Sequence, residues 1–271
     1  MLKLSVPSPS GMPEESSAPA SRQPAPEALL EQLAKVEGMA AGRRRLVLLW
    51  GPLGDFDSVE YAQALVPLLP RLEQAGIGVL AIGIGEEAGR ERFCAFTGLP
   101  PERLQLEPEA GLHRALGLYG GLQLPIGPWG NLLLMCAGIG SPGTLKEVLR
   151  GYTGDRSAPQ RIGEDEVIEA PPLPPIRGSL FARAGGRGFQ RPFELATIRL
   201  RNMGEVLRHW RTYVPRDDFL TQRGGTFLLE ADDTLLYEHR DRGLLGFSQT
   251  MNEPLCFLEE FLQPRSGTAR S

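Results

Sequence analysis

Unbroken apolar runs and amphipathic stripes alternate along the first half of the chain. Residues 46–50 (LVLLW) and 77–84 are almost wholly apolar, the pattern of strands buried on both faces of a sheet. Residues 27–41 carry Leu29, Leu30, Leu33 and Val36 at helical spacing, with Met39 or Ala40 extending the stripe, and predict a helix stopped by Gly42. A second helix is predicted over 57–76, with Val59, Ala62, Leu65 or Val66, Leu69 and Leu72 on one side. Asp57 and Glu60 are spaced as a capping box at its start, Pro67 and Pro70 predict a kink, and Gly76 ends it. Residues 87–97 read as a shorter helix with Phe93, Cys94 and Phe96 turned partly inward. Residues 104–106 read as an edge strand and 110–118 as a short helix carrying His113. Strand, helix, strand, helix in this order predicts parallel βαβ units with a right-handed crossover.

The pattern changes over 119–222. Residues 132–136 are apolar, 144–150 suggest a helical turn or two, and a proline-rich loop runs through 171–175. A helix over 193–213 carries the stripe Ala196, Leu200, Met203, Leu207, Trp210 and Val214, with Arg199, Arg201, Arg208 and Arg211 largely off it. A stretch of roughly 100 residues without a strand is too long for an ordinary connection and reads as an insertion. Regular alternation then returns: a strand at 224–230, a tight turn at 231–233, its antiparallel partner at 234–239, and a last helix at 253–262. The expected organisation is a disordered tail at 1–26, a split domain at 27–118 and 223–262, the insertion at 119–222, and a second tail at 263–271.

Composition narrows the function. A net charge of −4 argues against a general nucleic-acid or membrane-surface binder, and no apolar run approaches the ~20 residues of a membrane span. The three cysteines, Cys94, Cys136 and Cys256, are too far apart for a disulfide framework or metal spacing, and a reducing cytoplasm fits them. His113, His209 and His239 have no metal spacing either, so neither a metal nor a cofactor is expected. Only three of the 29 basic residues are lysine. Arginine forks bind carboxylates and phosphates bidentately, so this skew reads either as a binding surface or as plain compositional bias.

Candidate chemistry gathers in the turn after the first apolar run. Asp55, Asp57 and Ser58 either form a polar pocket with Arg223 or His113, or simply cap a helix and fill a turn. Gly54, Glu60, Pro70 and Gly76, the segment 108–117, Arg223-Gly-Gly-Thr-Phe and His239-Arg-Asp-Arg-Gly243 together resemble the peroxiredoxin-like branch of the AhpC/TSA family. That resemblance implies an α/β, thioredoxin-like fold: a central mixed sheet flanked by helices, with a large, mainly helical or irregular insertion before the C-terminal hairpin. It also implies antioxidant redox chemistry in the turn, where the family carries two cysteines. Here those positions fall on Asp55 and Ser58, and neither can form a sulfenic acid. The family arginine position falls on Gly224, with Arg223 one residue early, and the thioredoxin cis-proline position falls on Gly225. Pocket candidates are therefore Gly54, Asp57, Arg223, Gly224, Gly225 and Thr226 around Asp55 and Ser58. Two functional readings follow. One is a redox-inactive binding or assembly factor that meets a protein partner through Arg199, Arg208 and Arg211 of the insertion. The other is a thiol peroxidase or oxidoreductase using a displaced cysteine, Cys94 first.

Overall fold

The computed structural model describes residues 23–262. Of the tails expected at 1–26 and 263–271, residues 1–22 and 263–271 lie outside the described residues. Residues 23–26, expected to belong to the tail, are instead tied to the closing hairpin. Ala25 N–H donates to the Asp233 carbonyl (2.9 Å), and Leu235 N–H donates to the Gln23 carbonyl (2.8 Å).

In chain order the elements begin with α1 (Glu27–Leu33), β1 (Arg45–Pro52), α2 (Phe56–Leu65), α3 (Leu69–Gln74), β2 (Gly78–Ile84), α4 (Glu87–Thr97), β3 (Leu104–Leu106) and α5 (Gly111–Ala115). The insertion follows as α6 (Gly127–Cys136), α7 (Thr144–Thr153), β4 (Val167–Ile168), β5 (Ile176–Arg177), α8 (Gly178–Gly185), α9 (Glu194–Arg208) and α10 (Trp210–Tyr213). The chain closes with β6 (Gly225–Leu229), β7 (Leu235–Arg240) and α11 (Glu259–Leu262). Among the described residues no helix is long and apolar enough to cross a membrane.

The central sheet has the order β3-β2-β1-β6-β7, with β1, β2 and β3 parallel and β6 and β7 antiparallel. This is the mixed, thioredoxin-like sheet that the sequence implies. Both faces are covered, which explains the unbroken apolar runs. Leu46, Leu48 and Trp50 of β1 point to the side packed by α2, α3 and α4, and Val47 and Leu49 point to the opposite side, where α1 and α5 pack.

Several boundaries differ from the sequence expectation for local reasons. The first helix stops at Leu33 rather than 41. The chain then turns through three-residue hydrogen bonds and Gly38 (φ 74°), which returns Met39 to the core beside Leu29 and Leu33. The kink expected at Pro67 is a 3₁₀ turn, Val66–Leu68, joining α2 to α3. The last helix is a 3₁₀ turn, Cys256–Leu258, followed by the four residues of α11. The insertion is not free of strands, since β4 and β5 pair within it, but both are two residues long. The helix expected over 193–213 breaks at His209 into α9 and α10.

The insertion is fastened to α2 and α4 through α9. Gln63 and Asn202 exchange two side-chain hydrogen bonds (2.9 and 3.0 Å), and Arg199 forks onto Glu60 (2.7 and 3.1 Å). Arg92 on α4 pairs with Glu205 (2.6 Å).

Candidate functional site

β1 enters a turn whose shape is set by close packing. A side chain at Gly54 would bring its Cβ to 2.4 Å from Val214 Cγ2, so the turn fits only without one. Asp55 follows as the N-cap of α2, its carboxylate accepting the Asp57 N–H (3.2 Å). The capping box expected at Asp57 and Glu60 is thus not formed. The cap lies two residues earlier, Asp57 sits in the first turn, and the buried Glu60 is drawn off by Arg199.

The polar cluster beneath the turn has one guanidinium and three carboxylates. Arg223 is 1% exposed. Its Nη2 lies 2.5 Å from Asp55 Oδ2, and its Nη1 donates to Asp57 Oδ2 (3.3 Å). The remaining Arg223 N–H groups reach the carbonyls of Thr221 (3.1 Å) and Leu220 (3.4 Å). Asp57 also accepts the Leu245 N–H on both oxygens (2.9 and 2.8 Å), and Asp241 accepts the Gly224 N–H (3.1 Å). Burial works against the charge on Arg223, and Asp55 and Asp57 more than offset it. Burial raises Asp57 well above the usual carboxylate range, with Asp55 adding to the effect, and pushes Asp241 up to about 7.

Other predicted site residues are dispersed. Ser58 is buried and donates to the Pro52 carbonyl (3.1 Å). Thr226 shares a hydrogen bond with the Tyr61 hydroxyl (2.7 Å) inside the core. Gly224 and Gly225 are buried in or beside β6. A Cβ on Gly224 would lie 2.0 Å from the Leu49 carbonyl, so this glycine admits β1 rather than a ligand. His113 stays apart from Asp55. It lies between the Glu107 carboxylate (2.8 Å) and the Trp50 carbonyl (2.9 Å). Cys94 is packed in the core on the last turn of α4, where burial raises its thiol and the helix end disfavours a thiolate.

Arg199, expected on a partner surface, is half-buried. Arg199 lies between α9 and α2, bonded to Glu60 and to the Glu147 carbonyl (3.0 Å). Arg211 is exposed but paired with Asp217 (2.8 Å), and Arg208 is exposed at the end of α9. Much of the arginine excess thus goes into clamps that bind parts of the chain to one another.

A cleft of about 550 Å³ opens above the turn. Its floor is Pro52, Gly54, Asp55, Phe56 and Asp57. One wall is the α9 and α10 stripe, Ala196, Leu200, Met203, Leu207 and Trp210. The facing wall comes from α6 and α7, with Trp129, Leu132, Cys136, Val148 and Tyr152. Phe193, Leu173 and Leu245 complete the rim. The stripe on 193–213 looks in sequence like an ordinary core face, but it lines this cleft. The core side of α9 is the neighbouring face, Leu195, Ile198, Asn202 and Val206. The α6 and α7 wall escaped sequence reasoning, because the apolar run at 132–136 says nothing about what it will face. Cys136 is exposed, and partial burial followed by Asp55 pushes its thiol up.

Comparison with protein-family models matches residues 64–243 to the family described as AhpC/TSA antioxidant enzyme. Neither the curated proteins nor the solved structures contain a match to the chain.

Proposed function

Since the chain belongs to the AhpC/TSA antioxidant enzyme family, we propose that it keeps the family scaffold for binding rather than for thiol chemistry, with the cleft above Asp55 as the ligand site. The observation that carries this reading is the pairing of Asp55 with Arg223 at 2.5 Å, at the head of α2. A thiol peroxidase needs a thiolate at that place, attacking a peroxide oxygen to form a sulfenic acid as water or an alcohol leaves. A carboxylate has no such step open to it. Two further features support binding. The cleft volume falls within the ~300–1,000 Å³ usual for small-molecule pockets, and apolar side chains make up most of its lining.

The test is peroxide consumption with a dithiol reductant, using hydrogen peroxide and an organic hydroperoxide. No turnover above the thiol background is expected, together with saturable uptake of an apolar fluorescent dye. Robust turnover by the full chain would overturn the reading.

One observation favours a second reading, in which a displaced cysteine carries the chemistry. Cys136 lines the cleft within the electrostatic reach of Asp55 and Arg223. On geometry it, rather than Cys94, would be the attacking thiol. Its raised pKa works against this, because little thiolate is present near pH 7. Turnover that disappears in Cys136→Ser and survives in Cys94→Ser would establish this second reading.

A further inference from the structure

The chemistry of the cleft defines what it would hold, provided that it is a binding site as proposed above. Its wall along α9 is carbon: Ala196, Leu200, Met203 and Leu207 follow one another at helical spacing. The polar side chains on the lining are mostly committed already. Thr144 Oγ1 donates to the Leu244 carbonyl (2.9 Å) and Thr197 Oγ1 to the Phe193 carbonyl (2.8 Å). The lining cation, Arg199, is held by Glu60 and Glu147. Asp57 is occupied by Leu245 and Arg223.

Asp55 differs from these. One oxygen faces Arg223 and the other accepts the Asp57 N–H, and a carboxylate offers about four acceptor sites. It therefore retains acceptor capacity at the cleft floor. Aromatic faces, which attract cations, line the same space: Phe56, Tyr152 and the Trp129–Trp210 pair, whose rings lie 5.0 Å apart.

We propose that the cleft binds an amphiphilic amine, its apolar chain or ring system lying along the α9 stripe and its ammonium group against Asp55. A fatty carboxylate of the same length would meet like charge at the floor and find the one lining cation already paired. An alcohol would gain the burial without the charge. The preferred order is therefore amine, alcohol, carboxylate.

The test uses dodecylamine, dodecanol and dodecanoate below micelle formation, titrated into the full chain at pH 7.5. Two of the three tryptophans, Trp129 and Trp210, line the cleft, and the third, Trp50, is in the core, so intrinsic fluorescence reports occupancy. Dodecylamine is expected to bind at least about tenfold more tightly than dodecanoate. Asp55→Asn retains an N-cap side chain and is expected to erase that preference. Leu200→Lys places a cation in the cleft from a partly exposed helix face, and is expected to reverse the preference even if Asp55→Asn does not fold. Equal binding of all three compounds, or tighter binding of dodecanoate, would overturn the amine proposal and leave the cleft as a site. No binding by any of them would overturn the cleft as a site as well.

Discussion

Arg223 is the single buried cation among three carboxylates, so its removal strands charge rather than merely deleting a bond. Arg223→Met is expected to lower stability by about 3–5 kcal/mol, read from the urea midpoint, because Asp55 and Asp57 lose their buried partner. Asp241 gives a pH test. Its pKa is about 7 in the fold, against about 4 for a free aspartate, so the folded chain binds the extra proton between those values. Its contribution to stability is therefore full below about pH 4 and is lost as pH rises through 7. Asp241→Asn removes that loss. The melting temperature of the variant relative to the parent is expected to rise between pH 5 and pH 8, with a ceiling of roughly 4 kcal/mol. No relative gain at pH 8 would show that Asp241 is not held neutral by the fold.

At the scale of elements, α9 has two different faces. One carries Arg199, whose fork joins the insertion to α2 through the buried Glu60. Arg199→Met is expected to cost about 3 kcal/mol or more and to speed limited proteolysis within 155–190, as the insertion loosens from α2. Equal proteolysis rates in variant and parent would exclude a clamping role. The other face, Ala196 to Leu207, shows where sequence reading stopped. A helical apolar stripe reports that a face avoids water, but it does not distinguish a packed core from a cleft. The strands were more legible. Unbroken apolar runs placed β1 and β2 within one or two residues, and β3 and α4 were placed with the observed bounds, α4 being ended by Gly98 in the left-handed region. In the site, the turn was legible because it sits in a local motif, whereas Arg223 was one of two partners, with His113, that the sequence offered for it. The facing wall was not legible, because α6 and α7 reach the turn through tertiary packing that no local spacing encodes.

For the whole molecule, the distribution of thiols gives a simple check on the placement of the insertion. Cys136 is exposed, Cys256 half-buried and Cys94 buried. Alkylation followed by mass spectrometry is expected to label Cys136 first and Cys94 only on unfolding. Ligand in the cleft should slow labelling at Cys136 and leave Cys256 unchanged.

The short segment at Pro24 and Ala25 bears on solubility. It lies beside β7, the outer strand of the hairpin side of the sheet, bridging at Thr234. The opposite edge, β3, is only three residues long and makes a poor template for another chain. β7 is longer, and its first residues are shielded by this segment. A chain beginning at residue 27 would leave the Leu235 N–H and the Asp233 carbonyl open to strands from neighbouring molecules. Such a truncation is expected to keep the fold yet aggregate with rising concentration, as followed by light scattering against the full chain.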